Sequence, residues 1–123
     1  MSFQAGVRYN GDVAIVDLAG PLTLGDGAGM LRETVKGLID KGDRKILVKL
    51  SEVTQIDSAG LGEMVGAYAS AAKAGGTVKL LHAENKVRNV LMMTKLFTIF
   101  ESYNTEAIAV ISFSEPSAQA SGH

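Results

Sequence analysis

After residue 20 this sequence alternates between short apolar runs and longer segments with apolar residues every three or four positions. Ile46-Leu47-Val48-Lys49-Leu50 and Thr77 to Leu81 are runs of the first kind. Near-continuous hydrophobicity over five residues suits a strand covered on both faces. Leu24, Ala28, Leu31, Val35 and Leu38 are of the second kind and form one helix face, with Arg32, Glu33, Lys36 and Asp40 off it. Strand–helix alternation implies right-handed crossovers and a mainly parallel sheet.

Ahead of that region, residues 3–9 and 13–19 read as two strands joined at Asn10-Gly11, residue types that tolerate positive φ in a hairpin turn. Gly20-Pro21 is expected to end the second strand. Lys41-Gly42-Asp43 ends the first helix. A polar loop is expected at Ser51 to Gln55, then a second helix to about Ala74 with Leu61, Val65, Tyr68 and Ala72 along one side. Glu84 to Thr94 reads as a third helix, Leu96 to Phe100 as a last short strand, and Asn104-Thr105-Glu106 as the start of a final helix carrying Ala107, Ile108 and Ile111. The expected class is α/β: a mixed, mainly parallel sheet of four to five strands covered by about four helices. The 123 residues fit one domain, taken as 1–113, with a flexible tail at 114–123.

Composition narrows the function. Net charge is -1 and no basic patch stands out, which argues against direct nucleic-acid binding. The chain has no cysteine, so thiol chemistry and Cys-based metal sites are excluded. His82 and His123 are far apart in sequence, and His82 reads as a strand-end residue near the surface. No apolar stretch approaches the length needed to cross a bilayer, and the first residues lack a secretion signal, so a cytoplasmic protein without membrane contact is expected. Gly20 and Gly25 have P-loop spacing, but Asp26 stands where that motif needs Lys. Asp57-Ser58 has no partner histidine for a triad, nor the nucleophile-elbow sequence. The chain is therefore expected to be a binding module and not an enzyme, with no metal and no cofactor.

The junction at Asp57-Ser58 holds the remaining interest. Asp or Ser before an apolar helical run is a capping signal, and one reading is that both simply cap the second helix. Two features point beyond capping. Between Ser58 and Ala74 only Glu63 and Lys73 are charged, and the helix carries Gly60, Gly62 and Gly66. Each glycine costs about 1 kcal/mol in a helix interior relative to alanine. Something approaches that backbone closely, either the sheet beneath or a partner above.

The run Val48-Lys-Leu-Ser-Glu-Val-Thr-Gln-Ile-Asp-Ser-Ala-Gly-Leu-Gly62 resembles the signature of STAS domains, specifically anti-sigma factor antagonists. Gly20-Pro-Leu-Thr, Gly75-Gly-Thr-Val-Lys-Leu-Leu and Val90-Leu-x-x-Thr-Lys-Leu-x-x-x-Phe100 extend the resemblance along most of the chain. It implies that Ser58, directly after the Asp, is a phosphorylation site. Ala59 departs from the second Ser or Thr that many members carry, which leaves Ser58 as the one hydroxyl in the turn. The implied partners are an anti-sigma factor that is also a serine kinase and a PP2C-type phosphatase, with room for a weak homodimer. ATP and Mg²⁺ belong to the kinase. The expected docking face is Asp57, Ser58, Ala59, Gly60, Leu61 and Gly62, continuing over Glu63, Ala67 and Ser70. The alternatives are a scaffold or transport-complex subunit of the same fold without a phospho-switch, and a small nucleotide-binding or hydrolytic enzyme.

Overall fold

A computed structural model describes residues 3–25 and 27–114. The chain runs β1 (Gln4–Asn10), β2 (Val13–Leu22), α1 (Ala28–Lys41), β3 (Lys45–Ile56), α2 (Ser58–Lys73), β4 (Thr77–Leu81), α3 (Asn85–Thr94), β5 (Ser102–Tyr103) and α4 (Glu106–Ser112). The five strands lie in the order β1-β2-β3-β4-β5. β1 and β2 form an antiparallel hairpin, and every later neighbour is parallel. The α/β class and the mixed sheet are as the sequence predicts.

Side-chain alternation divides the sheet into two cores. Ala14, Val16, Ile46, Val48, Val78 and Leu80 face a large core shared with α1, α2 and α3. Val13, Ile15, Leu47 and Leu81 face a small one closed by Ala109 of α4. Consecutive residues thus bury on opposite faces, which is why the strands are apolar without alternation. Lys79 breaks the pattern on the α4 side. Its ammonium is buried and donates to the carbonyl and hydroxyl of Ser112 at 3.1 and 2.9 Å, with Glu101 at 3.3 Å.

Several boundaries differ from expectation, each for a physical reason. Gly20-Pro21 does not end β2. The strand continues to Leu22 through register shifts against β3, with Gly20 at φ 97°. The segment 51–55 is not a loop, because it pairs with that extension of β2 and so belongs to β3. Leu24 lies before α1 and is 79% exposed, while Leu31, Val35 and Leu38 bury as expected. Leu96 to Phe100 is not a strand. Lys95 adopts φ 62° and turns the chain into a single 3-10 turn, Leu96–Thr98. Phe100 is then buried edge-on against Tyr68, at 5.4 Å between ring centres. The last strand comes later, at β5. In α4 the buried residues are Ala109 and Ser112, and Ile108 and Ile111 face outward. Residues 115–123, which hold most of the expected tail and His123, lie outside the described residues.

Candidate functional site

β3 delivers the chain to the sheet's C-terminal edge, and α2 begins two residues after it ends. Asp57 sits between them in extended conformation and is the cap of α2. Its Oδ1 accepts from the amide of Gly60 at 2.9 Å. Its Oδ2 accepts from the amide of Leu24 at 3.0 Å, across the loop that leads into α1. The amide of Asp57 itself donates to the carbonyl of Leu22 at 3.4 Å. The two amide donors, Gly60 first and then Leu24, hold the carboxyl below the usual carboxylate range.

With Asp57 as cap, Ser58 occupies the first helical position and is exposed. It stands at the positive end of the α2 dipole, where backbone N–H groups favour an anion.

The glycines of α2 divide by cause. A Cβ at residue 60 would overlap the carbonyl oxygen of Leu22, so Gly60 lets the helix sit directly on β2. A Cβ at residue 66 would lie 3.2 Å from Nη2 of Arg32, and Gly66 leaves room for that guanidinium to cross the helix. Around Gly62 there is open space. No intramolecular packing calls for glycine there.

The expected docking face is only partly a face. Asp57, Ser58, Gly62 and Ser70 are exposed, and Ala59 and Leu61 are half-buried. Gly60 is buried on the side of α2 that meets β2. Ala67 is 2% exposed and belongs to the core, so it is not part of an exposed surface. The stripe that packs on the sheet is Gly60, Met64, Ala67 and Ala71, one position off the expected one. Leu61, Val65 and Tyr68 flank it, and Ala72 faces solvent. Glu63 is turned inward as well. Its side chain is 15% exposed, with Oε2 at 3.2 Å from Nη2 of Arg32 on α1.

Two neighbours of this surface escape the sequence reading. Leu24 stands exposed beside Asp57, although its spacing from Ala28 and Leu31 assigns it to the buried face of the first helix. Arg32 reaches α2 from another helix, a contact with no local signal. No group of three or more His, Asp or Glu among the described residues is arranged to hold a metal ion. His82 lies just past β4 with Nδ1 at 3.5 Å from Glu84. No described helix is long and apolar enough to cross a membrane.

The model of the STAS domain matches residues 4–109. The chain belongs to the STAS domain family. This STAS domain is 30% identical over 102 residues to the anti-sigma-B factor antagonist of Bacillus subtilis, covering 82% of this chain and 91% of that one. It is 39% identical over 67 residues to a protein of Thermotoga maritima named as an anti-sigma factor antagonist. That stretch spans 54% of this chain and 59% of the relative's length. A crystal structure of a Thermotoga maritima protein named as an anti-sigma factor antagonist superposes with a TM-score of 0.82 at 29% identity, covering 90% of this chain and 95% of that one.

Proposed function

We propose that this STAS domain is an anti-sigma factor antagonist worked by phosphorylation of Ser58. Unphosphorylated, it binds an anti-sigma factor that is also a serine kinase, and the sigma factor is set free. The kinase uses ATP to phosphorylate Ser58 and the complex parts. A PP2C-type phosphatase resets the cycle. Asp57, Ser58, Ala59, Leu61 and Gly62 form the contact, extended by Ser70 and by Leu24.

One observation carries the reading. Asp57 does the capping, and so the Ser58 hydroxyl is an exposed group at a helix N-terminus and not a structural one. A phosphate there adds about −1.5 to −2 charges. It stands beside the Asp57 carboxylate on a surface of small residues, where a docked partner must desolvate it or be repelled. The open space at Gly62 also supports a partner's close approach, as do the names of the relatives.

The test is incubation with the cognate kinase and ATP, followed by mass spectrometry and a binding assay. A single phosphate on Ser58 and loss of the complex are expected, with Ser58→Ala remaining bound. A phosphate on Ser51, Thr54 or Ser70 overturns the assignment. No phosphate at all, with binding to a permease complex instead, favours the scaffold reading.

A further inference from the structure

Away from Ser58, α1 and α2 enclose an open cleft of about 500 Å³ lined by Arg32, Lys36, Gly66, Ser70, Lys73 and Ala74. Every charged group in that lining is a cation, in a chain whose net charge is -1. Arg32 is held in place. Glu63 takes its Nη2 at 3.2 Å, and the bare backbone of Gly66 lies under its guanidinium. Its side chain nevertheless remains 57% exposed toward the cleft. Among the described residues no carboxylate lies within ion-pair distance of Lys36 or Lys73.

We propose that this cleft binds an acidic peptide segment, supplied by the same partner that seats on the Ser58 turn. That this segment belongs to the same partner rests on the proposed function; that the cleft binds an acidic segment does not. Charge complementarity selects the occupant. The cations are spread along the cleft instead of converging on one point. Arg32 crosses α2 at Gly66, and Lys73 lies two turns further on, about 10 Å at 1.5 Å per residue. A row of carboxylates on an extended chain matches that spacing better than one compact anion does. The cleft is also continuous with the switch, because α2 carries both. Gly66 is about 12 Å from Ser58 along the helix axis, beyond the Debye length of about 8 Å at physiological salt. The cleft therefore contributes to holding the partner without itself sensing the phosphate.

The experiment uses the isotope-labelled chain and a hexaglutamate peptide, followed by amide chemical shifts at about 20 mM salt. Neither the kinase nor Ser58 phosphorylation enters, so its result is independent of the switch. Shifts clustered at Lys36, Gly66, Ser70 and Lys73 are expected. The double variant Lys36→Glu/Lys73→Glu should weaken binding about tenfold, the scale of a few exposed ion pairs acting together. Its thermal midpoint should stay at the wild-type value. Shifts elsewhere, or none at millimolar peptide, overturn the proposal. So does saturation of the same residues by inorganic pyrophosphate or ATP at concentrations where the peptide has no effect, which would make the cleft a phosphate site.

Discussion

The amide of Leu24 donates to Oδ2 of Asp57, so the residue before Ser58 fastens the loop leading into α1 to the start of α2. One carboxylate thereby shapes both sides of the proposed contact. Asp57→Ala frees two amides at once, those of Leu24 and Gly60. The expected result is faster amide exchange at both positions and a thermal midpoint lower by about 5 °C, typical of a lost cap. Unchanged exchange at Leu24 would show that the loop is held by other contacts. The lowered pKa of Asp57 gives the effect a direction in pH. A carboxyl acidified by folding contributes stability above its unfolded value of about 3.9 and loses it as pH falls through the lower folded one. The gap between wild type and Asp57→Ala should therefore narrow in acid.

Gly60 and Gly62 stand two residues apart and should respond oppositely to alanine. At position 60 the new Cβ meets the Leu22 carbonyl, a backbone atom that cannot swing aside. Gly60→Ala should cost about 1–3 kcal/mol or more, as overpacking does. At position 62 nothing is in the way. Gly62→Ala should raise stability by about 0.5–1 kcal/mol through helix propensity alone. If the partner closes on that backbone, the same substitution should weaken the complex. Denaturant melts and a binding titration on the two variants check both halves. A Gly62→Ala protein that is more stable and binds normally would remove Gly62 from the contact.

Acid sensitivity is expected on the opposite side of the molecule. Arg8 of β1 donates to Asp17 of β2 and Glu106 of α4, and Asn10 also donates to Glu106. Arg8 first, then Asn10, pulls the Glu106 carboxyl from 4.5 down to about 2. The sign follows from linkage. Folding favours the ionised form, so the stabilisation is complete above about pH 4.5 and is lost as pH falls toward 2. Glu106→Gln cannot ionise. Its stability should therefore change less steeply than wild type between those two pH values, measured by urea melts at fixed pH. Parallel curves for the two proteins would show that another group governs this limb.

The sheet was legible in the sequence because burial on both faces makes residues 13–16 of β2 and 46–48 of β3 unbroken apolar runs. The Asp57-Ser58 junction was legible for a similar reason, since a cap, small residues and sparse charge coincide there. The packing register of α2 was not. A helix that sits close on a sheet buries its smallest residues, and Gly60, Ala67 and Ala71 give no hydrophobic signal. The larger Leu61, Val65 and Tyr68 mark the flank and draw the assignment one position away. The absence of a strand at Leu96 to Phe100 has a different origin. Apolar residues there are consistent with a strand until Lys95 takes a left-handed conformation, which lysine rarely signals. Long-range pairs such as Arg32 with Glu63 have no local signature at all.

The decisive prediction separates charge from fold at Ser58. Ser58→Ala is nearly isosteric, and Asp57 continues to cap the helix without it. It should bind the kinase and stay bound after ATP is added. Ser58→Asp places a fixed charge at the same point. A charge left unpaired in a buried interface costs about 2–5 kcal/mol, or roughly 30- to several-thousand-fold in affinity. The fold has no reason to respond, because acidic residues are tolerated or mildly favourable at a helix N-terminus. Binding should therefore collapse while the thermal midpoint moves by no more than a few degrees. Calorimetry and a binding titration on the same sample distinguish the outcomes. If Ser58→Asp binds as tightly as wild type, the serine is an ordinary surface residue and the scaffold reading stands. If it loses binding only because it has unfolded, the hydroxyl is structural and the phospho-switch fails with it.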